Sequence, residues 1–160
     1  MDVAIIAHAL SLIQKKRLNM DVNVEKTALY ALYHDASEIF TGDMPTPVKY
    51  YNSVIKSAYK EVEMLVNKRL LNMLPEDFQD EFEAVLIPKE EEKGIWKTIK
   101  AADKISAYIK CIEEEKSGNK EFLKAKQSLY NEIQNMNMPE VIIFMDEFLE
   151  GYSLTLDEME

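Results

Sequence analysis

The stretch WKTIKAADKISAYIKCIEEE, residues 96–115, decides the fold: Ile99, Ala102, Ile105, Tyr108, Ile109 and Ile112 recur three and four residues apart, with charged side chains between them. Residues at that spacing share one face of a 3.6-residue helix, so the segment predicts a long helix that buries one stripe. Ser117-Gly118-Asn119 ends it, because glycine and asparagine accept turn geometry that a helix interior does not.

Working outward, the same period recurs and no alternating strand pattern competes with it. Val3, Ile5, Ile6, Ala9, Leu10 and Ile13 predict a first helix to about Arg17, and Leu18 to Asn23 a polar break. Asn23 then caps a second helix running through Phe40, with Ala28, Leu29, Leu32 and Ala36 as its buried stripe. Thr41-Gly42-Asp43-Met44-Pro45-Thr46-Pro47 stops that helix. Tyr50 to Leu74 follows as an amphipathic helix with Val54, Ala58, Val62, Leu65 and Leu70 on one face, and Pro75-Glu76 opens a short one to about Leu86. Beyond the long helix, Lys120 to Gln134 and Pro139 to Glu150 complete the set, proline suiting a first helical turn. The fold class is all-α: six or seven helices in a single domain over residues 1–160, with short connectors and no internal repeat.

Bulk composition narrows the function. A net charge of −10 repels nucleic-acid backbones and anionic lipid, so polymeric nucleic acid and membranes are not the expected partners. The same field repels a small phosphate monoester, and a protein of this charge that hydrolyses one needs a local cation. The single cysteine, Cys111, forms no disulfide within the chain, and no long apolar span or leader pattern is present, which makes the cytoplasm the expected compartment.

The residues with metal chemistry are His34 and Asp35, adjacent near a helix end, where imidazole and carboxylate can reach one divalent transition metal. Glu38, four residues after His34, stands one turn further on, positioned to handle a proton. On its own the dipeptide says little: with two His and nine Asp in the chain it arises by chance about one time in ten. His8, among Ile5, Ile6, Ala9 and Leu10, reads as buried or interhelical structure, and Cys111 as core. Trp96, Tyr108 and Phe148 read as core packing, and the runs 90–92 and 113–115 of glutamates as solvated faces.

The longer string is more specific. Ala31-Leu32-Tyr33-His34-Asp35-Ala36-Ser37-Glu38 with Thr41-Gly42-Asp43-Met44-Pro45-Thr46-Pro47-Val48-Lys49-Tyr50 closely resembles the YfbR-like HD-domain 5'-deoxynucleotidases. Lys100-Ala101-Ala102-Asp103-Lys104 and Ala107-Tyr108-Ile109-Lys110-Cys111 resemble the segment with that family's last metal aspartate, and Ser153 to Glu158 its C-terminal tail. The resemblance implies a helical HD domain in a homodimer, with His34, Asp35 and Asp103 as metal ligands, Glu38 and Asp43 as catalytic carboxylates, and Asp43, Met44, Pro45 and Thr46 as the loop that meets the substrate sugar. It implies Co²⁺ or Mn²⁺ as cofactor and a deoxyribonucleoside 5'-monophosphate as substrate, released as deoxynucleoside and phosphate. In the family a metal histidine lies just before the first helix and an Arg-Trp pair further upstream. Neither is in this sequence, and Met1 falls within the helical period, so the expectation is an N-terminally truncated chain with weakened metal affinity. The competing functions are another HD-domain nucleotide phosphohydrolase, sharing the ligands but differing in its loops, and a catalytically impaired helical module that dimerises or binds a partner.

Overall fold

The 96–115 stretch forms the centre of the longest helix in the computed structural model, which describes residues 1–44, 52–154 and 156–158. In chain order the α-helices are α1 (Asp2–Arg17), α2 (Val24–Leu32), α3 (Glu38–Thr41), α4 (Ser53–Asn72), α5 (Glu76–Leu86), α6 (Lys93–Lys116), α7 (Leu123–Asn135) and α8 (Pro139–Glu147). Single 3₁₀ turns occupy Glu90–Glu92, Glu150–Ser153 and Leu156–Glu158. There is no strand among the described residues, so the all-α expectation holds. Among the described residues there are eight helices rather than six or seven, because the predicted second helix is two helices separated by a turn.

The chain divides into two compact units, one of Met1–Ala31 with Gly94–Glu160 and the other of Leu32–Lys93. In the first, α6 buries Ile99, Ala102, Ile105, Tyr108, Ile109 and Ile112, as its period requires, and adds Ala101 and Cys111. α1 contributes Ala4, Ile6, Ala7, Leu10 and Ile13, and α8 contributes Val141 and Phe144. Each fully buried large aliphatic there contributes about 1.5–3 kcal/mol of transfer free energy. One polar cluster lies inside this core. The Gln14 Nε2 amide donates to Glu140 Oε1 at 2.6 Å and to Thr98 Oγ1 at 3.1 Å, tying α1, α6 and α8 together. All three residues are buried, so each bond also meets a desolvated polar group that would be costly to leave unpaired.

The helix ends follow local chemistry. α1 stops where Asn19 takes a left-handed backbone, φ 52°, and the Leu18 amide donates to the Ile13 carbonyl. Asn23 Oδ1 accepts from the Lys26 amide at 2.8 Å, the cap expected of it. Pro139 stands in the first turn of α8, which runs to Glu147 before a 3₁₀ turn takes over.

Three expectations about burial fail. On α2 the buried residues are Val24, Thr27, Tyr30 and Ala31, while Leu29 and Leu32 are exposed: Tyr30 packs on Trp96, ring centroids 5.7 Å apart, and carries the larger area, which sets the phase of the helix. His8 is exposed rather than buried, on the side of α1 away from Leu10. Phe148 is more than a third exposed, although one face stacks on Phe144 at 5.4 Å.

In the second unit the buried apolar residues among those described are Tyr59, Val85 and Leu86. α4 and α5 are joined by Asn67 Nδ2 donating to the Leu86 carbonyl at 2.9 Å. Of the predicted α4 face, Val54, Ala58, Val62 and Leu65 are exposed and Leu70 is half-buried. The helix carries two apolar stripes, and the one with Tyr59 is turned inward because that ring buries most and its hydroxyl lies 3.3 Å from Thr41 Oγ1 and 3.4 Å from the Gly42 carbonyl. The predicted start of this helix at Tyr50 lies outside the described residues.

Candidate metal and catalytic site

The His-Asp dipeptide stands on a turn, not on a continuous helix. After Leu32 the Ala36 amide donates to the Tyr33 carbonyl at 3.0 Å and the Glu38 amide to the Asp35 carbonyl at 2.9 Å, both bonds of the three-residue kind. Tyr33 packs edge-on against Phe82 of α5, ring centroids 5.8 Å apart and planes at 86°, which anchors the start of the turn within its unit.

On that turn His34 Nε2 lies 2.8 Å from Asp35 Oδ2. The imidazole is largely covered and the carboxylate half-exposed, so a nitrogen and an oxygen donor converge at a point that solvent reaches from the aspartate side. Borderline nitrogen and hard oxygen together suit Mn²⁺, Co²⁺ or Zn²⁺ better than a thiolate-seeking ion. Glu38 follows as the first residue of α3 and is half-buried.

α3 lasts one turn. Gly42 closes it at φ 65°, a left-handed value that glycine adopts without steric cost, and its amide donates to the Glu38 carbonyl at 2.9 Å. The Thr41 hydroxyl donates to the Gly42 carbonyl at 3.0 Å, and the Tyr59 hydroxyl approaches the same carbonyl. Asp43, exposed, and Met44, half-buried, leave this anchored corner directly. Pro45 and Thr46, the other two expected sugar-loop residues, lie outside the described residues. Tyr59 as a holder of the loop is new relative to the sequence: its only signal was a polar-tipped ring in an apolar helical position.

Asp103 belongs to the first unit. Its neighbours Ala101 and Ala102 are wholly buried, and the residue itself is on the exposed side of α6. Lys104 forms an ion pair with Glu132 of α7, so its ammonium already has a carboxylate. Cys111 is buried in the same helix, and burial holds its thiol above the ordinary range despite the opposing pull of Lys126. A protonated, covered thiol is not a nucleophile, in line with the core role expected of it. No described helix is long and apolar enough to cross a membrane.

Comparison with known proteins finds relatives over nearly the whole chain. A family profile described as 5'-deoxynucleotidase YfbR-like matches residues 1–152. A 5'-deoxynucleotidase of Photobacterium profundum is 43% identical over 159 residues, covering 99% of this chain and 82% of that protein. One from Vibrio parahaemolyticus is 44% identical with the same coverage, and one from Yersinia pseudotuberculosis is 43% identical over 162 residues, 81% of its length.

Proposed function

Because the chain belongs to the YfbR-like 5'-deoxynucleotidase family, we propose that it hydrolyses deoxyribonucleoside 5'-monophosphates to the deoxynucleoside and phosphate, as a cytoplasmic, metal-dependent homodimer. The observation that carries the reading is the His34–Asp35 donor pair, 2.8 Å between ligand atoms, with Glu38 immediately after it and the Gly42 corner next in the chain.

His34, Asp35 and Asp103 each offer one ligand atom of the kind a divalent transition metal takes, and they are the residues that would hold it, with Co²⁺ or Mn²⁺ favoured by the family resemblance. An ion held there supplies positive charge against the phosphate and makes a water acidic enough to act near neutral pH. Glu38 takes the proton of the attacking water or returns one to the departing 5' oxygen. Asp43 assists that transfer and, with Met44, Pro45 and Thr46, meets the sugar. A loop stiffened by prolines and anchored at Gly42 supports discrimination, since excluding a 2'-hydroxyl is a steric task for a closely fitting wall.

Phosphate release from dAMP and AMP, with and without added Co²⁺, tests reaction class, metal dependence and sugar choice together. Release from dAMP that needs the metal and exceeds release from AMP is expected. Equal turnover of the two nucleotides, or turnover of cyclic nucleotides only, would place the chain with a different HD-domain phosphohydrolase activity, and metal-independent release would remove the ligand assignment.

A further inference from the structure

We propose that the solvent-facing stripe of α4 pairs antiparallel with the same stripe of a second copy of this chain. Val54, Val62, Leu65 and Met73 are 73%, 44%, 67% and 68% exposed, and Ala58 is exposed between them. Met73 keeps a right-handed helical backbone, φ −83° and ψ −12°, so it extends the stripe by a further position. Contiguous apolar side chains left in water on one helix face mark an interaction surface.

The spacing of the stripe identifies the occupant. Positions 54, 58, 62, 65, 69 and 73 are separated by 4, 4, 3, 4 and 4 residues, a series that reads the same in both directions. Two copies turned about a two-fold axis between Val62 and Leu65 therefore place Val62 opposite the partner's Leu65, Ala58 opposite the partner's Arg69 and Val54 opposite the partner's Met73. The small Ala58 leaves room for the arginine stem. The Arg69 guanidinium lies over the Phe40 ring, 5.3 Å from its centroid, which takes the charge off the stripe and leaves its methylenes on it.

Charge makes the arrangement specific. The open edge of the stripe carries Glu61 and Lys68, both exposed, and the two-fold sets this edge against itself. Glu61 then stands within about two residues, roughly 3 Å along the axis, of the partner's Lys68, and the pair occurs twice. A parallel pairing would set this edge against the partner's other edge, so Glu61 and Lys68 of the two copies would not meet. The strip is about 28 Å long and one helix wide. That is less than the roughly 800 Å² per partner of a standard interface, so association should be weak and concentration-dependent, in the micromolar range. This rests on the homodimer reading above and gives it a surface.

Sedimentation equilibrium of the full chain from ~1 to ~200 μM decides the matter. A monomer–dimer equilibrium is expected, with Leu65→Lys weakening it at least about tenfold while far-ultraviolet dichroism stays unchanged, since Leu65 makes no part of the core. Glu61→Lys and Lys68→Glu should each weaken it, and the double exchange should return it to within about threefold of the parent. A monomer throughout the range overturns the homodimer reading together with this face. A dimer indifferent to Leu65→Lys overturns the face alone. Weakening by both single charge changes without recovery in the double variant overturns the antiparallel register.

Discussion

The two units differ in where their apolar residues go. Twenty buried apolar residues lie in Met1–Ala31 and Gly94–Glu160, including the wholly covered Leu10, Ala102 and Ile105, whereas Tyr59, Val85 and Leu86 are the buried apolar residues described in Leu32–Lys93. The second unit instead leaves Ile39, Val54, Leu65, Met73 and Phe78 in solvent and carries the His34–Asp35 pair, Glu38 and the Gly42 corner. Packing of the first kind supplies stability, and a sparsely packed element of the second kind can move to admit and release a substrate. The difference predicts that, the proposed ligand Asp103 apart, substitutions in the second unit act on turnover and substitutions in the first on unfolding.

The largest effect is expected at Asp35. Asp35→Ala should abolish both bound metal and dAMP hydrolysis with no change in helix content, because its carboxylate is half-exposed and serves no core contact. Metal analysis beside far-ultraviolet dichroism checks this. An active variant removes Asp35 from the site, and an unfolded one would break the division between the units. Glu38→Gln comes next, with turnover lowered about 10²-fold to 10⁴-fold and metal retained; loss of metal with Glu38 would make it a ligand rather than a proton carrier.

Ile105→Ala inverts the pattern. A wholly buried aliphatic truncated to alanine costs about 2–5 kcal/mol of stability, so the main unfolding transition should fall while metal affinity per folded molecule stays the same. Leu65→Ala, the same deletion of methylenes on the second unit's exposed face, should stay within about 0.5 kcal/mol of the parent at concentrations where the chain is monomeric. Urea unfolding of both variants measures the contrast directly, and similar losses would mean that α4 is covered in solution even in the monomer.

The same contrast explains what the sequence disclosed. α6 was legible because Ile99, Ala102, Ile105, Tyr108, Ile109 and Ile112 form one stripe with no competitor, so period and burial coincide. Asn23 was legible because a cap is a local bond. α4 was half-legible: its helix was evident, but it bears two apolar stripes, and a period gives spacing without saying which stripe finds a partner. The break at Tyr33–Ser37 had no local signal, since no Gly or Pro stands there; it depends on Tyr33 against Phe82, residues 49 positions apart. For the proposed site, the resemblance of a long string nominates His34, Asp35, Glu38 and Asp43, while the turn on which His34 and Asp35 stand was not legible. The turn, rather than a helix face, sets the 2.8 Å approach of the two donor atoms.

The smallest expected effect is also the sharpest probe of the comparison, because the molecule contains one bond twice. Asn23 Oδ1 accepts from the Lys26 amide at 2.8 Å at the start of α2, and Asn52 Oδ1 accepts from the Ile55 amide at 2.8 Å at the start of α4. Each Asn→Ala change removes the same cap, worth about 1 kcal/mol. If the whole chain unfolded in one step, both variants would lower the midpoint equally, by about 2–4 °C for a chain of this size. The shallow core of the second unit predicts otherwise. Asn23→Ala should shift the main transition by that amount, since α2 carries the buried Tyr30 and Ala31. Asn52→Ala should leave the main transition nearly in place and instead speed amide exchange along α4 about fivefold, the factor that 1 kcal/mol gives in a local opening equilibrium. Calorimetry with amide exchange on the two variants distinguishes the cases. Equal midpoint shifts, with α4 exchanging no faster than α6, would show that the units unfold as one, and the division of labour between stability and turnover would then have to be argued from the site residues alone.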